Sequence, residues 1–189
     1  NGIHPLSEQI INKLREKHPL SGPIRIPNMP AGVAPIQFEP VDISRAIRAF
    51  HIASAPGYSQ ARPSHLIDAI TIPVGDEGNR VSGPLAHICN QLVAGKVNPE
   101  LGRWVAGAPI IPLRKPDNGV RPIAVGEVIR RIISRAICIS LRDRFADTLL
   151  PVGQAGVGVL SGAESAVFAV RERLRRDPDG KNIAALKVD

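Results

Sequence analysis

Between Ala108 and Val125 the hydrophobic pattern leaves the helical period that governs most of this chain. It becomes two short, apolar, β-branched runs, Ala108 to Arg114 and Val120 to Val125, separated by Lys115-Pro116-Asp117-Asn118-Gly119. Proline pre-sets φ, Asp and Asn hydrogen-bond to their own backbone, and Gly accepts a left-handed conformation, so the five residues read as a tight turn. The pattern predicts a β-hairpin with cations on both shoulders of its loop: Arg114 and Lys115 before it, Arg121 after it. A lone hairpin is marginal in water, so other elements have to supply the core.

Those elements read as helices. Ser7 to Lys17 carries Ile10, Ile11 and Leu14 on one face and is stopped by His18-Pro19. Pro19 to Pro40 is dense in Pro and Gly and reads as an extended linker. Asp42 is expected to cap a helix with Ile43, Ala46, Ile47 and Phe50 inward, and Ser64 one with Leu66, Ile67 and Ile70 inward. A third places Leu85, Ile88, Cys89 and Leu92 on one side, closed by Gly95, and Asn98-Pro99 opens a short fourth. After the hairpin, one long helix is predicted from about Glu127 to Phe145, with Val128, Ile129, Ile132, Ile133, Ala136, Ile137, Leu141 and Phe145 as its stripe. Arg130, Arg131, Arg135, Arg142 and Arg144 lie mostly off that stripe. Gln154 to Gly158 is a glycine-bearing loop, and Ser161 with Glu164 has capping-box spacing for a helix with Ala163, Ala166, Val167, Val170 and Leu174 inward. Asp177-Pro178-Asp179-Gly180 stops it, and Ile183 to Asp189 reads as a buried strand.

The expected fold class is therefore α+β: a helical N-terminal half, a hairpin with flanking helices, and one terminal strand. Residues 1–40 form an N-terminal helix and linker, 41–107 a helical segment, and 108–189 the hairpin, its helices and that strand. Leu, Ile and Val must build the core, since aromatic residues are only 3% of the chain. Every long apolar stretch is broken by Arg, Pro or Gly, which excludes a membrane-spanning helix. Cys89 and Cys138 have no metal-ligand or disulfide spacing; both fall on apolar helix sides, as buried free thiols in a reducing, intracellular compartment would. The five histidines show no paired ligand spacing, and Ser161 does not fit the nucleophile-elbow pattern.

The formal charge of +7 is concentrated. From Arg103 to Arg176, 12 Arg and 1 Lys face 6 acidic residues, while the rest of the chain holds 11 basic and 11 acidic. Arginine offers a planar donor fork that matches phosphate oxygens, so a polyanion partner follows.

The order of blocks along this basic stretch resembles the fingers of reverse transcriptases, with a flavour closest to non-LTR retrotransposons. Pro112-Leu113-Arg114-Lys115-Pro116-Asp117-Asn118-Gly119-Val120-Arg121-Pro122-Ile123 is similar to that family's "P-x-x-K-P-x-(G)-x-R-P-I" block. Arg130-Arg131-Ile132-Ile133 follows it, then Gln154-Ala155-Gly156-Val157 for the "Q-x-G" element, then Leu186-Lys187-Val188-Asp189 for the start of the first palm motif. The family usually carries a bulky aromatic near "Q-x-G", where this chain has Ala155 and Val157.

What the resemblance implies is specific. Arg121 would bind the triphosphate of an incoming dNTP, with Lys115 and Arg114 assisting. Asp189 would be the first catalytic carboxylate, holding Mg²⁺, or Mn²⁺ in its place, for two-metal nucleotidyl transfer. The partners would be an RNA template and a DNA primer: Gln154 and Gly156 would lie near the template strand and the nascent base pair, and Arg130 and Arg131 would contact template phosphates or else form an ordinary solvated helix face. The chain would be an N-terminal piece of an RNA-directed DNA polymerase, nuclear or cytoplasmic, lacking the remaining palm and the thumb. Because one carboxylate cannot organise two metals, the piece is expected to be inactive alone. Two other readings stay open: a non-catalytic nucleic-acid-binding remnant of a retroelement, and the fingers of an RNA-directed RNA polymerase.

Overall fold

The structure, a computed structural model, describes residues 2–19, 32–71 and 80–180. Asp189, the terminal strand and most of the Pro/Gly-rich linker lie outside the described residues. The fold is α+β: eight α-helices and a two-stranded antiparallel sheet among the described residues. The chain divides into two compact units, Asn1–Ala136 and Ile137–Asp189.

In the first unit the helices are α1 (Glu8–Lys17), α2 (Pro40–Arg48), α3 (Pro63–Thr71), α4 (Ser82–Val93) and α5 (Pro99–Ala106). They are followed by β1 (Ile110–Arg114), β2 (Val120–Ala124) and the start of α6 (Val128–Ser140). The core is aliphatic. Ile43, Ala46 and Ile47 of α2 are fully buried, as are Cys89 and Ile132, and Phe38, Ile70, Val105 and Val120 are buried around them. Asn90 of α4 ties down the segment leading into α2: its amide accepts from Phe38 N at 2.8 Å and donates to Phe38 O at 3.0 Å. Phe38, buried and without a strand partner, thus has both its backbone polar groups satisfied.

Several helix starts differ from the sequence reading. Helix α2 begins at Pro40 with Glu39 as its cap, and Asp42, three residues on, accepts from Glu39 N at 3.0 Å. Proline lacks the N–H that a first-turn residue would leave unpaired, so it takes the first helical position and moves the cap upstream. The same preference starts α3 at Pro63 rather than after Ser64. In α4 the buried residues are Ser82, Ala86 and Cys89, while Ile88 is exposed, so the inward face is rotated from the expected one. Ser7 caps α1, accepting from Ile10 N, and Asn98 caps α5 as expected, accepting from Glu100 N.

The second unit holds the end of α6, then α7 (Arg142–Leu149), a 3-10 turn (Leu150–Val152) and α8 (Gly162–Arg175). The single long helix expected after the hairpin is interrupted at Leu141, whose φ and ψ are −99° and 4°. Helical bonds run up to and away from that residue, Leu141 N to Ile137 O and Phe145 N to Leu141 O, so the interruption is local. Cys138 is exposed, not buried, whereas Cys89 is buried as expected. The capping box at Ser161 does not form. Ser161 is left-handed, with φ 53°, and makes no side-chain cap bond. A cap needs extended backbone to aim its hydroxyl at the helix, and Ser161 has none. Nor is the stripe of α8 buried: Val167, Val170 and Leu174 are all exposed, as is Phe168.

Candidate functional site

The hairpin pairs Ile110 with Ala124, Ile111 with Ile123, Pro112 with Pro122, Leu113 with Arg121 and Arg114 with Val120. Its loop closes through Lys115 N to Gly119 O at 2.8 Å and Asn118 N to Lys115 O at 3.0 Å. Asn118 takes the left-handed position, with φ 62°, and Asp117 Oδ1 accepts from Gly119 N at 2.9 Å. This is the three-residue loop in which a turn is followed by one left-handed residue, and Asn is among the few side chains that tolerate it.

Strand alternation then sorts the cations. Leu113 and Arg121 share one face of the ribbon, and Arg114 leaves from the other. Arg114, Lys115 and Arg121 nevertheless line a single open pocket of about 340 Å³, with Gly2, Leu113 and Pro116. No carboxylate lines it. Arg121 and Arg114 are exposed and Lys115 is half-buried, so their charged groups are free to meet an anion from solvent.

Nothing in the sequence pointed to the first residues of the chain as part of this region. Arg114 N donates to Gly2 O and His4 N to Pro112 O, each at 2.9 Å, and Ile3 bridges Leu113 in antiparallel fashion. The His4 ring Nε2 lies 3.3 Å from Gly119 O, an acceptor only, so that nitrogen carries the proton. The segment covers the outer edge of β1, which would otherwise present unpaired backbone groups.

Arg130 and Arg131, which the resemblance places against template phosphates, each donate to a backbone carbonyl. Arg130 donates to Ala106 O at the end of α5, and Arg131 Nη2 to Ala55 O at 2.7 Å. Arg135 does the same for Ala49 O, the C-cap of α2, and its guanidinium stands 4.5 Å from the Phe50 ring centre; that of Arg131 is 5.6 Å away. The last carbonyls of a helix have no intrahelical donor, so an arginine there satisfies them and complements the helix dipole. Burial pulls the Arg131 guanidinium below its usual range, the Glu127 carboxylate opposes that, and Arg130 and Arg135 add to it. Its Nε is buried without an acceptor among the described residues.

Glu127 is the polar residue the sequence reading missed. It is buried, and it accepts from Ser59 N at 2.8 Å and Ser59 Oγ at 2.7 Å. Gly57 passes so close that an added Cβ would come within 2.8 Å of Glu127 Cα. The signal was present in the spacing: Glu127 and Arg131 stand one helical turn apart.

In the glycine-bearing loop, Gln154 and Gly156 are exposed, and Gln154 Oε1 accepts from Gly156 N at 3.1 Å. The close approaches occur elsewhere. A Cβ on Gly158, whose φ is 76°, would lie 2.6 Å from Arg142 O, and one on Gly162 would overlap the Ala155 carbonyl. Arg142 Nε also donates to Gly158 O at 3.2 Å. The glycines that matter structurally are those packing the loop onto α7 and opening α8.

Among the described residues no group of three or more His, Cys, Asp or Glu side chains comes together as a metal site. The carboxylate expected to carry Mg²⁺, Asp189, lies outside them. No described helix is long and apolar enough to cross a membrane. Neither a family model, nor a curated protein, nor a solved structure matches this chain.

Proposed function

We propose that the chain forms the nucleotide-gripping fingers of an RNA-directed DNA polymerase of retroelement type, with the hairpin pocket as the seat of the incoming triphosphate. The observation that carries this reading is the grouping of Arg114, Lys115 and Arg121 around one carboxylate-free pocket at the hairpin loop. A triphosphate needs several cations held close together, and guanidinium forks bind its oxygens in pairs. The order of motifs supports the same reading: hairpin, arginine-bearing helix, Gln154-Ala155-Gly156, then Leu186-Lys187-Val188-Asp189. In it, Asp189 holds catalytic Mg²⁺, Gln154 and Gly156 face the template from an exposed loop, and Arg121 binds the triphosphate with Lys115 and Arg114 assisting. Arg130 and Arg131 would reach template phosphates only with the N–H groups left over from their carbonyl bonds.

The test is calorimetric titration of the chain with inorganic triphosphate. Arg121→Gln is expected to weaken binding about tenfold or more, the usual worth of a charge-assisted hydrogen bond, and Lys115→Gln by a smaller factor. Binding that is unaltered in both variants would remove the hairpin from the nucleotide site and the polymerase reading with it.

A further inference from the structure

We propose that the N-terminal segment builds a second anion subsite beside the hairpin pocket, and that the two subsites together seat the backbone of a single-stranded nucleic acid when no triphosphate fills the hairpin pocket. The inference rests on the polymerase reading for the class of polyanion. A separate open cavity of about 460 Å³ lies between the N-terminal segment and the hairpin, lined by His4, Ser7, Lys13, Arg114 and Asn118 among others. Like its neighbour it has no carboxylate in its lining. Arg114 lines both cavities, and strand alternation explains how. It departs from the strand face opposite Arg121 and stands between the two cavities.

The chemistry of the two subsites differs. The hairpin pocket offers Lys115 and Arg121 together with the shared Arg114. The second offers one full cation, Lys13, the shared Arg114, and neutral donors: the Ser7 hydroxyl and the Gln9 and Asn118 amides. That set is too weakly charged for a second triphosphate and suits a phosphodiester, which carries one charge and is flanked by sugar hydroxyls. The backbone bonds of Gly2 and His4 to β1 hold the subsite in place.

Two probes separate the subsites: inorganic triphosphate, and a fluorescent oligo-uridylate of about ten nucleotides read by anisotropy over a range of salt. Lys13 is exposed, so Lys13→Gln should fold normally. It is expected to weaken oligonucleotide binding about threefold or more and to reduce the log–log salt slope by about 0.7, with triphosphate affinity unchanged and Lys13→Arg restoring both readings. Oligonucleotide binding indifferent to Lys13→Gln overturns the proposal, as does an equal loss of triphosphate binding. An oligonucleotide defect in Lys13→Gln, alongside triphosphate binding that ignores Arg121→Gln, supports the subsite while sinking the nucleotide reading of the hairpin.

Discussion

Glu127 is a buried carboxylate held by two donors from one serine, with a glycine against its backbone and an arginine one turn along its helix. Removing it leaves Ser59 N–H and its hydroxyl without their acceptor and takes away the carboxylate that offsets the burial of the Arg131 guanidinium, and a stranded buried group costs more than its bond was worth. Glu127→Ala is expected to lower the unfolding free energy by about 3 kcal/mol, read from the urea midpoint at constant slope. Glu127→Gln keeps one acceptor and should lose less. The two thiols give a second contrast at this scale. Burial raises the Cys89 thiol from 9.0 to about 11, while Cys138 is exposed. At mildly alkaline pH a thiol reagent should label Cys138 promptly and Cys89 only on unfolding. The linkage sign follows from the raised value. Between pH 9 and 11 the unfolded chain releases the Cys89 proton while the folded chain keeps it. The stabilisation is therefore complete below pH 9 and is lost as pH climbs through that window, roughly 2–3 kcal/mol at most. Cys89→Ala should flatten this part of the stability profile.

At the scale of elements, α6 is held to its neighbours by one row of arginines. Arg130, Arg131 and Arg135 reach carbonyls at Ala106, Ala55 and Ala49, and Phe50 lies under two of them. Arg135→Ala removes a donor from the end of α2 and a cation from Phe50, and should cost about 1–3 kcal/mol. Gly162→Ala should cost at least as much, because its Cβ would run into the Ala155 backbone carbonyl and the chain around it would have to move. These tethers explain which parts of the structure were legible beforehand. The hairpin was readable because its loop chemistry is local: Pro116, Asp117, Asn118 and Gly119 determine their own geometry whatever surrounds them. The existence of α1 to α5 was readable for the same reason, through their periodic apolar faces. The arginine row was not, since an arginine off the apolar stripe looks alike whether its partner is a phosphate or a carbonyl 76 residues distant in sequence, as for Arg131 and Ala55. Ser161 with Glu164 failed in a related way. The spacing was right, but Gly162 packed against Ala155 leaves Ser161 left-handed, and a local motif yields to a tertiary contact.

For the molecule as a whole, the net charge of +7 overstates what is available to a polyanion. Arg175 and Arg176 are paired with Glu172, whose carboxyl is held below its usual range by both. Arg130, Arg131 and Arg135 spend donors on carbonyls. The cations that line carboxylate-free pockets and have no such bond are Arg114, Lys115, Arg121 and Lys13. Each phosphate neutralised on a single strand contributes about 0.7 to the salt slope, so log affinity against log salt should fall with a slope of about −2 to −3. If the arginine row of α6 also faced the strand, three further contacts would steepen it toward −5, by the same roughly 0.7 per contact. The Arg135→Ala variant then decides between the two arrangements. Its salt slope should match that of the unaltered chain even as its stability drops, because a carbonyl-bound arginine supports the fold without releasing a counterion from the ligand. A flatter slope in Arg135→Ala would mean that the row meets phosphate after all, and that its carbonyl bonds yield when nucleic acid arrives.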